Sequence, residues 1–136
     1  APIPGIILPQ VLAPAQSVWN QYTIRIQQPR ENQLANSLGG LGATESRSNL
    51  RDQVREKMQS QGVSSMVYYP IPLHLQPVYK NLGYQPGQLP RTDRTAQEVL
   101  SLPMFPEITP EEQQRVAYAL KDALQEISTD SKEISN

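Results

Sequence analysis

Two tyrosines and one histidine lie close together in a segment whose backbone the sequence makes stiff. Tyr68, Tyr69 and His74, the only histidine, lie within residues 65–77, which also hold prolines at positions 70, 72 and 77. Each proline removes a backbone donor and fixes φ, so the pattern predicts a buried strand that continues into extended backbone. Two phenol hydroxyls and an imidazole held there could hydrogen-bond a ligand. The alternative is a packed connector whose rings lie in the core.

The composition excludes several classes of function. The chain of 136 residues has a net charge of −1 and no conspicuous basic stripe, so nothing points to nucleic acid. Without cysteine, thiol catalysis and disulfides are excluded, and a single histidine argues against a histidine-based metal site. No apolar run is long enough to span a bilayer and no signal peptide is recognisable, so we expect a cytoplasmic protein without membrane contact.

The N-terminal residues 1–16 are apolar and extended. Four prolines exclude a continuous helix here, at positions 2, 4, 9 and 14. An apolar segment of this kind is expected to be buried, either against this domain or against a part of the protein outside the chain. The chain also begins at Ala1 without Met. We therefore expect a fragment of a longer protein, with 1–16 as the connector from an N-terminal domain.

The first strand is predicted over Ser17–Ile26, where apolar and polar residues alternate. The face assigned to the core consists of Val18, Tyr22, Ile24 and Ile26. The opposite face carries Trp19, and we expect it to contact another domain. Residues 29–47, rich in polar residues and glycine, predict a flexible insertion.

A helix is predicted between an N-cap at Ser48 and a stop at Gly62. Its apolar stripe consists of Leu50, Val54 and Met58. The charged residues on its other sides are expected to face solvent: Arg51, Asp52, Arg55, Glu56 and Lys57.

Four shorter elements follow. The pattern predicts a second strand over Val63–Tyr69, a helical turn over Val78–Gly83, and a short helix capped by Thr92. The inward-facing residues after this cap are Ala96, Val99 and Leu100. A third strand over Ser101–Phe105 contains Pro103, which predicts a position at the sheet edge.

The last helix has the most specific start signal. Thr109, Pro110 and Glu112 combine an N-cap, proline at the first helical position and glutamate at the third, which is a capping box. Apolar residues then repeat at helical spacing: Val116, Leu120, Leu124 and Ile127. We expect a helix over 110–127 and a disordered tail over 128–136.

This order of elements predicts an α+β domain over residues 17–127. With such short elements, a small, mostly antiparallel three-stranded sheet with helices on one face is the most economical arrangement.

Three sequence runs, in this order, carry a family resemblance: VWNQYTIR at 18–25, YYPIPLHLQPVYKNLGY at 68–84 and AQEVLSLPMFPE at 96–107. Together they resemble the C-terminal domain of the DegT/StrS-type, pyridoxal-phosphate (PLP)-dependent nucleotide-sugar aminotransferases. The resemblance covers most of residues 3–127 and implies the small domain of a fold-type I aminotransferase, which is normally a homodimer.

The resemblance also implies a division of labour. A missing N-terminal domain would hold PLP on its Schiff-base lysine, and the C-terminal domain would close over a nucleotide-linked keto-sugar. The lysines present here all lie in C-terminal context: Lys57, Lys80, Lys121 and Lys132. We therefore expect this fragment to bind no cofactor and to be inactive alone.

In this family the segment around the Tyr-Pro motif lines the substrate side of the active site, so the resemblance assigns substrate contacts to Tyr68, Tyr69 and His74. Many members have histidine where Tyr68 stands, so no acid–base role is carried over to that position. Tyr69 and His74 would hydrogen-bond sugar hydroxyls or phosphate. A packing role remains the alternative for each of the three.

Two other functions are compatible with the sequence. One is a non-catalytic regulatory or binding domain on the same scaffold. The other is a free-standing interaction module, which the apolar N-terminal residues and Trp19 would serve.

Overall fold

The computed structural model of the chain describes residues 3–27 and 49–133, with side chains through residue 130. The elements in chain order are strand β1 (Ile6–Ile7), strand β2 (Tyr22–Ile26), helix α1 (Leu50–Ser60), two 3₁₀ helices (Leu73–Leu75 and Pro77–Leu82), helix α2 (Pro90–Glu98), strand β3 (Val99–Leu102) and helix α3 (Pro110–Glu133). The predicted insertion 29–47 and Ser48 lie outside the described residues, as do 134–136.

The three strands form one antiparallel sheet in the order β1-β2-β3. Ile6 pairs with Ile26, and Ile24 pairs with Leu100, so β2 is the central strand. The predicted α+β class with a three-stranded antiparallel sheet is confirmed, but the strands differ from those expected. β1 comes from the segment predicted as a connector, and the predicted strand 63–69 contributes only a bridge between Met66 and Ser101.

β1 forms because Ile3 and Ile6 are covered by this domain, whereas Leu8, Val11 and Leu12 stay exposed. Gly5 turns the chain with φ +82°, a conformation that favours glycine, and Gln27 donates its N–H to the Gly5 carbonyl at 2.8 Å. Ile3 and Ile6 pack against the core. Burial of apolar side chains is therefore what fixes this short strand.

β2 begins at Tyr22, five residues later than Ser17. Trp19 has φ +46°, which interrupts extended backbone, and Val18 is 95% exposed instead of lying in the core. From Tyr22 onward the predicted faces are correct, because Ile24 and Ile26 are fully buried. Trp19 does not project from the sheet face; its ring lies 5.1 Å from that of Tyr22.

The core lies between one face of the sheet and helices α1 and α3. Its buried members are Ile24, Ile26, Val54, Met58, Val63, Leu100, Ala119, Leu120, Ala123 and Ile127. The apolar stripes predicted for the two long helices are therefore confirmed, and their packing holds both helices on the same face.

Helix α1 has Asn49 as its N-cap, with the Asn49 side chain accepting the N–H of Asp52 at 2.9 Å. Gly62 follows the helix with φ +77°, as expected of a stop signal. The prediction that the charged residues of α1 all face solvent is wrong for Arg51, which is only 4% exposed.

Helix α2 begins at Pro90, so Thr92 lies inside the helix and is not its cap. α2 passes directly into β3 at Val99, so Ala96 is buried in the helix and Leu100 in the strand. β3 ends at Leu102, which pairs with Tyr22, because Pro103 has no N–H to extend the pairing. The predicted strand Ser101–Phe105 thus starts two residues and ends three residues too late.

Helix α3 starts with the predicted capping box. The Glu112 carboxylate accepts the N–H of Thr109 at 2.8 Å, and the Thr109 hydroxyl accepts the N–H of Glu112 at 3.2 Å. The helix continues to Glu133, so its predicted end at residue 127 is wrong. Ser128 and Thr129 donate their hydroxyls to the carbonyls of Leu124 and Gln125, which lets these polar residues stay helical.

Replacing Thr109 by alanine is expected to lower the free energy of unfolding by about 1 kcal/mol, because it leaves the first turn of α3 without its side-chain acceptor. Urea denaturation followed by circular dichroism measures the loss. Thr129→Ala is the control, since an exposed threonine within the same helix has no capping role and alanine has the higher helix propensity. Equal losses in both variants would contradict the assigned cap.

Candidate functional site

The segment after Val63 leaves the sheet once it has made a single bridge. Met66 and Ser101 exchange two backbone hydrogen bonds, at 3.0 and 2.8 Å. Tyr68 and Tyr69, joined by a cis peptide bond, follow with their rings 6.5 Å apart in an edge-to-face arrangement. They are 44% and 63% exposed, so neither ring lies in the core.

A cavity of about 340 Å³ lies between this segment and α2. One wall consists of Tyr68, Tyr69, Ile71, Pro72 and Leu73. The other consists of Arg91, Thr92, Thr95, Ala96 and Val99. The cavity thus combines two aromatic rings, several hydroxyls and one guanidinium, a set suited to a polar ligand with an anionic group.

Arg91 is the functional group that sequence reasoning missed. It lies one turn before Thr95, whose hydroxyl donates to the Arg91 carbonyl at 2.8 Å. The Arg91 side chain is exposed, and within residues 3–27 and 49–130 no acceptor is found for its guanidinium. The signal was available, because Pro90 at the first helical position sets the helix start that places Arg91 in the first turn.

Arg51 binds the backbone of two residues that line the cavity. Its Nη1 donates to the carbonyls of Ala96 and Val99, at 3.1 and 3.0 Å, and its Nε donates to Asp52 at 2.7 Å. Ala96 and Val99 both line the cavity at the point where α2 becomes β3. The buried guanidinium therefore joins α1 to that corner.

Glu98 forms ion pairs with two other arginines nearby. Its carboxylate is 1% exposed and accepts from Arg25 Nη2 at 2.5 Å and from Arg94 Nε at 2.7 Å. Arg94 and Arg25 are thus paired. Among the described residues, Arg91 is the one charged side chain that lines the cavity.

His74 lies apart from this cavity. Its side chain is 7% exposed, with Nε2 3.1 Å from Asp93 Oδ1 and the ring 5.7 Å from that of Tyr84. The His74–Asp93 contact falls short of hydrogen-bond geometry, and neither atom has another partner in the described part of the chain. Gly87 donates its N–H to the second Asp93 oxygen at 2.7 Å. The structure therefore brings Tyr68 and Tyr69 together but leaves His74 outside the lining of this cavity.

A second cavity, of about 520 Å³, lies on the core side of the sheet. Its lining comes from β1, β2, the residues after β3, and α3, and it is almost wholly apolar, with Tyr22 and Gln113 as the polar side chains. It offers few groups for orienting a ligand, so the first cavity is the candidate functional site.

The described lysines lie away from both cavities. Lys57 Nζ lies 2.6 Å from Glu126 Oε2 between α1 and α3, and this hydrogen bond raises the pKa of Lys57. Lys80 and Lys121 are exposed on a 3₁₀ helix and on α3. Residues 3–27 and 49–133 contain no cluster of metal-ligating side chains. None of the helices they form combines the length and apolarity needed to cross a membrane.

Residues 20–121 match the model of the DegT/DnrJ/EryC1/StrS aminotransferase family. The chain belongs to this aminotransferase family. The match contains the whole candidate site, from the tyrosine pair through Arg91 to Glu98. The resemblance carried by the three sequence runs is thereby confirmed.

Known proteins resemble the chain over part of their own length. A pleiotropic regulatory protein of Geobacillus stearothermophilus is 56% identical over 66 residues, 48% of this chain and 18% of the relative. The dTDP-3-amino-3,4,6-trideoxy-alpha-D-glucose transaminase of Streptomyces venezuelae is 29% identical over 122 residues, 90% of this chain and 26% of the relative. The crystal structure of S. venezuelae DesV with a ketimine intermediate is 30% identical, with a TM-score of 0.67 over 90% of this chain and 27% of DesV. The chain thus spans about a quarter of these two transaminase-related proteins.

Proposed function

We propose that the chain is the substrate-closing domain of a PLP-dependent aminotransferase that acts on nucleotide-linked keto-sugars. The observation that carries this proposal is the cavity in which Tyr68 and Tyr69 face α2. The family membership and the named sugar transaminase among the relatives support the substrate class. The chain spans 26% of that relative. We therefore propose that activity needs the rest of the full-length protein and that the fragment alone is inactive.

The tyrosines are proposed to contact the sugar. Their hydroxyls can donate to and accept from sugar hydroxyls, and their rings form an apolar wall beside Ile71 and Pro72. His74 stays a prediction as a substrate contact. Its burial beside Asp93 favours a positioning role, in which it holds the proline-rich segment against α2.

Lys57, Lys80 and Lys121 line neither cavity, so the described lining of the two cavities supplies no amine for a Schiff base with PLP. We propose that an N-terminal domain of the full-length protein holds the cofactor, and that the full-length protein is a homodimer. The cytoplasmic location also stays a prediction.

Replacing Tyr69 by phenylalanine in the full-length protein is expected to raise KM for the nucleotide sugar by about 3- to 10-fold, because one hydrogen bond to a sugar hydroxyl is lost. Steady-state transamination of a nucleotide-linked keto-sugar with an amino-acid donor measures the change. Tyr118→Phe is the matched control, since Tyr118 is 72% exposed on α3 and lines neither cavity.

Two outcomes would contradict different parts of this proposal. A full-length protein with no PLP absorbance and no transamination would contradict the function. An active full-length protein in which Tyr69→Phe behaves like Tyr118→Phe would contradict the assigned sugar contact while leaving the function in place.

A further inference from the structure

Arg91 has no counter-charge within residues 3–27 and 49–130, and the other charged side chains near the cavity each have a partner there. Glu98 binds Arg25 and Arg94. Asp93, the acidic residue in the first turn of α2, is directed to Gly87 and His74. The cavity lining contains no carboxylate among the described residues. Among the described residues, the charge that lines the cavity is therefore the positive charge of one guanidinium.

The chemistry of a guanidinium narrows the choice of ligand. Its planar fork donates two parallel hydrogen bonds to phosphate or carboxylate oxygens, and it remains charged at any physiological pH. The hydroxyl of Thr92 lies on the same wall and can donate a further hydrogen bond to an oxyanion, whereas the Thr95 hydroxyl already donates to the Arg91 carbonyl. An anion with several oxygens fits this wall better than an uncharged group does.

The positions of the two walls distinguish phosphate from carboxylate. Tyr68 and Tyr69 offer hydroxyls and ring faces on the wall opposite Arg91. In a nucleotide sugar the diphosphate is attached directly to the sugar, so a sugar against the tyrosines would bring the diphosphate to α2. An amino donor's carboxylate lies within a few bonds of the reacting nitrogen. The exposed side chain of Arg91 suits the part of the substrate that extends outward.

We propose that Arg91, with the hydroxyl of Thr92, binds the diphosphate of the nucleotide-sugar substrate. This assignment rests on the proposed function and makes Arg91 a residue that determines affinity for the nucleotide moiety.

Kinetics of the full-length holoenzyme test the assignment. Arg91→Met is expected to raise KM for the nucleotide sugar by about 10- to 100-fold, the loss expected for a charge-assisted hydrogen-bonded pair. Arg91→Lys, which keeps the charge but not the fork, is expected to recover part of the loss. Arg55→Met on the exposed side of α1 is the matched control and is expected to leave KM unchanged. KM for the amino donor is expected to change little in all three variants.

Two kinetic results would overturn the assignment. One is equal KM values for the nucleotide sugar in Arg91→Met and Arg55→Met. The other is a rise confined to KM for the amino donor, which would show that Arg91 binds the donor carboxylate.

Direct binding keeps the test independent of turnover. Calorimetric titration with UDP and with dTDP is expected to show weaker binding to Arg91→Met than to the wild-type holoenzyme, and equal binding would overturn the assignment. If the wild-type protein binds these nucleotides through Arg91 but transaminates no sugar, the proposed function fails and the diphosphate site stands.

Discussion

Replacing Arg51 by methionine is expected to lower the free energy of unfolding by about 2–4 kcal/mol. Methionine fills a similar volume but donates no hydrogen bond, so the carbonyls of Ala96 and Val99 lose their Arg51 donor. A buried carbonyl without a partner costs its full desolvation free energy, about 1–3 kcal/mol for each group. Urea denaturation monitored by circular dichroism measures the change.

The control for this experiment lies on the same helix. Arg55 is exposed, so Arg55→Met is expected to change the free energy of unfolding by less than about 0.5 kcal/mol. A loss of that size for Arg51→Met as well would show that its hydrogen bonds contribute little. Because Ala96 and Val99 line the cavity, we also expect Arg51→Met to raise KM for the nucleotide sugar in the full-length protein.

Arg51 shows what local sequence patterns can and cannot specify. The spacing alone would have predicted its burial, because positions 51, 54 and 58 follow helical spacing and Arg51 shares a face with Val54 and Met58. The prediction placed Arg51 on the solvent side because its side chain is charged, although its spacing favours the buried face. What no local pattern contains is the pair of carbonyls, from 45 and 48 residues further along the chain, that make a buried guanidinium stable there.

In the rest of the fold, too, local signals were predicted well and contacts between distant residues were not. Signals that act within one turn were predicted correctly: the capping box at Thr109, the helix stop at Gly62 and the apolar stripe of α3. Strands were placed less well, since strand pairing is decided by partners far away in the chain. Ile6 and Ile7 became a strand because β2 was free at one edge, whereas residues 63–69 make only one bridge before Pro70.

The candidate site was predictable in part for a similar reason. The proline-rich segment restricts its own backbone, so its two tyrosines could be singled out from residue types alone. The role of Arg91 depends on where α2 begins: with Thr92 as the predicted N-cap, three residues later than the observed cap Leu89, Arg91 lay outside the predicted helix. His74 required knowledge of Asp93, 19 residues further along the chain, whose carboxylate lies beside it.

Removing both arginines that bind Glu98 is expected to have the largest effect on stability. The Glu98 carboxylate is 1% exposed, while Arg25 and Arg94 are 37% and 47% exposed. The carboxylate is therefore the group that depends on its partners for compensation. In the double variant Arg25→Met/Arg94→Met it would stay buried without either partner, and breaking a buried pair in this way costs about 3–5 kcal/mol.

The complementary variant separates the cost of an unpaired charge from the loss of packing. Adding Glu98→Leu to Arg25→Met/Arg94→Met removes the charge and keeps an apolar side chain at the site, so most of the lost stability is expected to return. Glu98→Leu alone, the double variant, the triple variant and the wild type define a cycle that isolates the coupling between Glu98 and its arginines.

An exposed ion pair provides the matched comparison. Lys57 and Glu126 lie 2.6 Å apart but are 41% and 46% exposed, so Lys57→Met is expected to cost much less stability than the double variant does. If the double variant lost no more stability than Lys57→Met does, burial would not be the reason that Glu98 needs its arginines. If the triple variant stayed as unstable as the double one, the loss would come from the arginine side chains themselves. The expected order, with the double variant least stable and the triple variant near the wild type, follows only if a buried carboxylate needs its cations to hold α2 against β2.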